Sequence, residues 1–209
     1  MKTTTRGRVT PSPRAAGLIE SARAAGFTLL ELLITMSIAA ILLTLAVPSF
    51  RYVTNSNRIA GEVNGLLGDL QFARAEAVKE GRNVTVCIST DGQNCVANAT
   101  TWQSGWIVFS DPTDTGVVDP GETVLRWQKT FSSTDTLVAA NSLSPITLSA
   151  VTFNREGYAI GIANGTLLEL HDATNTTAWT RCLSINLSGQ MKTELYGVAD
   201  ADNGGATCL

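Results

Sequence analysis

Three groups of residues have the types and spacing that chemistry requires. Asp111, Thr113, Thr115, Gly116, Asp119 and Glu122 fall on positions 1, 3, 5, 6, 9 and 12 of an EF-hand calcium loop. On that spacing Asp111, Asp119 and Glu122 are the expected ligands of a Ca2+ ion, since a hard cation takes carboxylate oxygens. Thr replaces Asp or Asn twice and no helical pattern follows, so an acidic, solvated hairpin loop is the competing reading. The second group is the four cysteines, Cys87, Cys95, Cys182 and Cys208. An even number beyond an apolar segment points to disulfides in an oxidising compartment. Of the three possible pairings, 87–95 and 182–208 each close a loop rich in Gly, Asp and Asn. Four buried thiols are the alternative. Zinc is disfavoured, because there is no C-x-x-C and His171 is the only histidine. The third is Glu31, one carboxylate inside an otherwise uncharged apolar run.

No catalytic set emerges. His171 stands between Leu170 and Asp172 with no G-x-S-x-G context, and reads as a strand-end histidine. The chain is expected not to be an enzyme. Among the tryptophans, Trp106 and Trp127 lie in apolar strands and are expected in the core. Trp102 and Trp179 border polar loops and are candidates for an interface.

The elements that must position these residues are legible in hydropathy. Residues 27–47 are apolar apart from Glu31, and as a helix they span about 31 Å, matching a bilayer core. A carboxylate well inside lipid costs roughly 2.5–3.5 kcal/mol, so Glu31 needs a partner, and this segment has no Lys, Arg or His. A cut after Gly26 would supply one, the free amine of Phe27. Five of the 15 basic residues precede Gly26, with one acid, which holds the N-terminus in the cytoplasm and sends the rest to the periplasm. The part after Gly26 keeps 10 basic and 17 acidic groups, a balance of −7, which argues against nucleic-acid binding by bulk charge. An ordinary cleaved secretory signal, cut near Ala46, is the alternative. The length of the run and its carboxylate speak against it.

Beyond Pro48, Ile59, Val63, Leu66, Leu70, Ala73 and Ala77 form one apolar stripe at helical spacing, with Gly81 as the stop. Gly61, Gly65 and Gly68 weaken this helix while leaving room for close packing or bending. Strands are expected at 83–89, 106–110, 124–129, 146–153, 167–171, 180–187 and 192–196, separated by turn dipeptides such as Asp91-Gly92 and Asn164-Gly165. The expected class is α+β: a long N-terminal helix, half membrane and half amphipathic, packed on a C-terminal antiparallel β domain. The expected divisions are a leader over 1–26, a transmembrane segment over 27–47, an amphipathic helix over 48–81 and a β-rich periplasmic domain over 82–209.

Gly26-Phe27-Thr28-Leu29-Leu30-Glu31, the apolar run and Pro48 resemble the class III signal of type IV pilins and type II secretion pseudopilins. Arg74-Ala75-Glu76-Ala77, Val86-Cys87-Ile88-Ser89, Ser104-Gly105-Trp106-Ile107-Val108-Phe109 with Asp111, and Gly121-Glu122-Thr123-Val124-Leu125-Arg126 resemble the GspH/FimT/FimU family. The resemblance implies a prepilin peptidase that cuts between Gly26 and Phe27 and methylates Phe27. It implies that Glu31 aligns the subunit with a neighbour's N-terminus. Other pilin or pseudopilin subunits, that peptidase and inner-membrane lipid are the implied partners. The leader is longer than many in the family, which a later start codon would explain. Members are minor pilins or pseudopilins that initiate or cap a filament. Type IV pilus use is favoured here by the cysteine-closed loops, with type II secretion as the alternative. Some FimT-like pilins bind DNA through a Gly-Arg-x-Arg motif. The matching place is Gly189-Gln190-Met191-Lys192, where Gln190 replaces the first arginine. That leaves Lys192, with Arg181, as the cations for a DNA function that the acidic balance disfavours.

Overall fold

A computed structural model describes residues 26–141 and 144–209, so the expected leader over 1–26 lies outside the described residues except for Gly26. The chain divides into two compact units, one ending at Ala46 and one from Val47 to Leu209. One helix, α1 (Leu29–Glu80), contributes to both.

In the first unit every described residue is exposed, including Phe27, Leu30, Ile34, Ile41 and Leu45 at 51–80%. Water disfavours so much contiguous apolar surface, so this part of α1 calls for lipid or other helices. Among the described residues α1 is the one helix long and apolar enough to cross a membrane. Thr28 starts it. Its hydroxyl accepts from the Glu31 amide at 3.1 Å, and its carbonyl accepts from the Leu32 amide at 3.1 Å, which satisfies donors that a helix start leaves orphaned.

In the second unit α1 buries one stripe, Ile59, Val63, Leu66, Leu70, Ala73 and Ala77, the set its periodicity marks. A side chain at Gly61, Gly65 or Gly68 would meet open space, so none of the three is needed for packing within this chain. The stripe packs against two antiparallel five-stranded sheets. The first has the order β3 (Val124–Lys129), β2 (Gly105–Ser110), β1 (Val84–Ile88), β6 (Ala150–Phe153), β7 (Ala159–Ile160). The second runs β10 (Met191–Leu195), β9 (Arg181–Ile185), β8 (Thr166–His171), β4 (Thr136–Asn141), β5 (Ser144–Pro145). A small ribbon, β11 (Ala199–Asp200) with β12 (Ala206–Thr207), closes the C-terminal loop. Alternate residues of both sheets, such as Val84, Val86 and Ile88 and then Leu168, Leu170, Leu183 and Ile185, join the helix stripe in one core. The residues between them on β1 and β2, Cys87, Ile107 and Phe109, face the other way and form a second small cluster with Cys95, Val118 and Val124. The centre of the first sheet is therefore covered on both faces, which is why β1 and β2 are buried along their whole length while the edge strand β3 is not.

Several expectations need correction. The stretch 146–153 is a strand only from Ala150, because earlier the Ile146 amide turns to the Ala139 carbonyl of β4 at 2.9 Å and the Leu148 carbonyl is taken by the Trp102 indole at 2.8 Å. Strands β4, β5, β7, β11 and β12 were not expected. Trp102 is fully buried, whereas Trp127 is 47% exposed. Trp127 lies flat against Gly92 in the first cysteine loop. There φ is +76°, and a Cβ would stand 2.5 Å from the indole, so glycine is required twice over.

Candidate functional site

The N-terminal end of α1 is the first candidate. Gly26 and Phe27 precede the helix and are exposed, as is Glu31. Thr28-x-x-Glu31 has the spacing of a capping box, in which the glutamate side chain would turn back onto the cap amide. Only half of that box forms. The Glu31 amide donates to Thr28, while among the described residues the Glu31 carboxylate has no hydrogen bond or ion pair. The carboxylate thus remains available to a group from outside the chain. Thr28 is a positioning residue that the sequence reading passed over, although the T-x-x-E spacing marks it.

The loop carrying Asp111, Asp119 and Glu122 is closed by protein donors. Asp111 is fully buried. One of its oxygens accepts from the Thr115 amide at 3.1 Å, and the other from Thr85 Oγ1 and the Gly116 amide at 2.8 and 3.0 Å. The Thr113 hydroxyl stands 3.4, 2.9 and 3.0 Å from Asp111, Asp119 and Glu122, in the centre where a cation would sit. The other Glu122 oxygen accepts from the Asp119 amide at 2.8 Å. Threonine at position 3 of the spacing thus acts as a donor among the three carboxylates. Among the described residues no set of three or more His, Cys, Asp or Glu is arranged to hold a metal ion.

Lys192 and Arg181 do not meet. In the pairing of β9 with β10, Lys192 lies opposite Ser184 and Arg181 opposite Leu195, and side-chain alternation sends the two cations to opposite faces. Lys192 is ringed by acids: Asp200 at 2.6 Å, Asp202 at 3.3 Å and Glu194 at 3.4 Å. The Asp200 hydrogen bond leads in holding its ammonium well above the usual lysine range. Burial works to raise the Asp200 carboxyl, but Lys192, Ser184 and the Asp202 amide outweigh it and hold it low. Arg181 donates to the carbonyls of Ala178 and Thr180 at 3.1 and 2.8 Å. His171 ends β8, half-buried beside Thr180 and 3.6 Å from Glu169.

The cysteines form two bridges, Cys87–Cys95 and Cys182–Cys208. Asp91 organises the first loop, accepting from the amides of Gln93 and Asn94 at 2.8 Å each. The second encloses the β11–β12 ribbon.

Two helix residues whose role lay beyond local reading tie α1 to the sheets. Asp69 accepts from the Trp106 indole at 2.9 Å and from Arg126 at 3.0 Å, and Arg126 in turn lies 3.7 Å over the Phe72 ring. Arg74 donates to the carbonyls of Gly157 and Ser188 at 2.9 and 3.3 Å, bridging a turn of each sheet. At Gly189 a Cβ would stand 2.1 Å from the Gly157 carbonyl, so glycine lets these turns close. Asp69→Ala leaves the buried indole N–H without an acceptor and is expected to cost about 1–3 kcal/mol of unfolding free energy. Urea unfolding of the full chain in detergent measures it, and an unchanged midpoint would remove Asp69 from this role.

An exposed apolar helix start continuing into an amphipathic half packed on antiparallel sheets is the architecture of a pilin-type subunit. Residues 62–189 match the family model "Type II transport protein GspH", and residues 21–47 match that of the prokaryotic N-terminal methylation motif. The chain belongs to the GspH family of pilin-like proteins. Among solved structures, the type IV minor pilin FimU of Pseudomonas aeruginosa shares the fold. It is 21% identical with a TM-score of 0.51, over 70% of this chain and 95% of that one. A second crystal form of FimU matches at 23% identity and TM-score 0.47, over 69% and 96%. A search of curated proteins found no match. Family and fold are those of structural pilin subunits.

Proposed function

We propose that this chain is a minor pilin that helps to initiate or cap a filament assembled at the inner membrane, in type IV pilus biogenesis. In this reading a prepilin peptidase cuts between Gly26 and Phe27 and methylates Phe27. Residues 27–47 then hold the subunit in the membrane with the domain in the periplasm. The observation that carries it is the helix start: an exposed apolar segment whose single carboxylate, Glu31, is unpaired among the described residues and one helical turn from the new amine. The two disulfide-closed loops support periplasmic residence and favour the pilus branch. A second reading, a pseudopilin of type II secretion, is favoured by the family description itself. DNA capture is a third, and the acids around Lys192 weigh against it.

The test is the mature N-terminus. Mass spectrometry of the protein from membranes should give a chain beginning at methylated Phe27, and Gly26→Val should leave the leader attached. A mature start at Val47 would overturn the pilin reading. Loss of surface filaments, against loss of secreted enzymes, in a deletion strain separates the pilus from the secretion branch.

A further inference from the structure

Two aromatic residues meet where the chain leaves its apolar run. The run ends at Val47, and Tyr52 follows five residues later on α1, about 7.5 Å further along the axis. That step matches the headgroup layer, since a bilayer of about 40–45 Å has a hydrocarbon core of about 30 Å. Trp179, from the loop between β8 and β9, packs on Tyr52 with ring centroids 5.8 Å apart, so the β domain adds an aromatic ring beside this stretch of α1. Tyr and Trp gather in this layer because each joins an apolar body to a polar tip. Trp179 is half-buried, with one side against the main core, and its enclosed indole nitrogen has no hydrogen-bond partner among the described residues.

The surroundings fit the same neighbour. Residues 173–178, Ala-Thr-Asn-Thr-Thr-Ala, carry no charge, so they approach lipid without desolvating an ion. The one acid at the loop's start, Asp172, is buried and turned inward. Its carboxylate accepts from the amides of Thr174 and Thr176 and from the Thr174 hydroxyl. These bonds fix the turn that presents Trp179, whose own amide donates to the Thr176 carbonyl at 2.9 Å. Phe50, Tyr52 and Val53 are 73%, 52% and 50% exposed, and Arg51 among them is exposed and suits anionic headgroups.

We propose that Tyr52 and Trp179 form an interfacial anchor that seats the β domain on the headgroup layer of the periplasmic leaflet before the subunit enters a filament. The proposal rests on the membrane-anchored reading given above. The anchor adds a second point of attachment to the single helix and thereby fixes the tilt and rotation of the domain on the membrane.

The test uses the full chain in vesicles of phosphatidylethanolamine and phosphatidylglycerol, with tryptophan emission quenched by nitroxide-labelled lipid. Trp102 and Trp106 are buried in the domain, and Trp127→Phe removes the exposed indole, which leaves the half-buried Trp179 as the reporter. In that variant a headgroup nitroxide should quench strongly and a bilayer-centre nitroxide much less. Adding Trp179→Phe should abolish the headgroup quenching. The comparison of two label depths on one protein keeps the test independent of any effect of Trp179→Phe on folding. Flotation with vesicles but no headgroup quenching, or quenching that survives loss of Trp179, would overturn the anchor alone. Failure to float would overturn membrane anchoring itself, and the proposal with it.

Discussion

The Glu31→Ala protein is expected to enter the membrane at least as well as its parent and to be absent from filaments. The first half follows from solvation: a carboxylate placed well inside lipid costs roughly 2.5–3.5 kcal/mol, and alanine removes that cost. The second follows from what the carboxylate lacks. It makes no contact within the described chain, and the capping role open to it is performed by the Thr28 side chain and the Glu31 backbone alone. Glu31 is therefore maintained at a cost for a group that arrives from elsewhere. In the proposed reading, a filament of processed subunits, that group is the Phe27 amine of a neighbour. Two charges paired in a low dielectric are held far more firmly than on a wet surface, so loss of one should be close to all-or-none in assembly. Glu31→Gln keeps size and polarity while removing the charge, and should fail as alanine does. Immunoblots of sheared filaments against membranes, in strains with equal amounts of protein, provide the measurement. Normal incorporation of either variant would show that the charge has no part in assembly.

Much of this arrangement is legible in the sequence because it depends on periodicity. The buried face of α1 is read directly from steps of three and four residues between Ile59 and Ala77. The strands that alternate or carry β-branched runs, β1 above all, can be read in the same way. What is hidden is held by distant partners. Trp102 sits among Thr, Gln and Ser and looks like a loop residue, but its burial depends on the Leu148 carbonyl far along the chain. Trp127 lies in an apolar strand, yet that strand is the sheet's edge, and edge position is a property of topology. Strand β4 was missed because Leu137, Ala139 and Ala140 are all buried, and such a pattern does not alternate. At the acidic loop the EF-hand spacing is legible, whereas the hydrogen bonds by which the Thr113 hydroxyl reaches Asp111, Asp119 and Glu122 are not.

The segment 131–135 carries the chain from β3 of one sheet to β4 of the other, and a buried cluster fastens it to α1. Ser133 Oγ donates to Glu62 Oε1 at 2.8 Å, and Arg58 pairs with Asp135 at 3.0 Å. Glu62 Oε2 and Asp135 Oδ1 are enclosed without any other hydrogen-bond partner. One guanidinium faces two carboxyls, so one of them is best kept neutral. Burial pushes the Glu62 carboxyl from its ordinary 4.5 up to about 7, with Asp135 adding to the rise and Ser133 and Arg58 opposing it. The protonated Glu62 has Asp135 as its acceptor. Because the folded value lies above the unfolded one, this group's contribution is fully present below about pH 4.5 and is lost as pH rises through about 7. Partial exposure of Glu62 and screening by solvent reduce what such a rise contributes to about 1–2 kcal/mol at full titration. The full chain in detergent is therefore expected to unfold at lower urea at about pH 8 than at about pH 5, by up to that amount from this group. Glu62→Gln donates to Asp135 without a titrating proton. It should lack this slope and be the more stable protein at the alkaline end. Parallel pH curves for the two proteins would mean that no proton is held between helix and crossover. A slope lost only in the glutamine variant would place it there, and would make the link between the two sheets tighten as the pH falls.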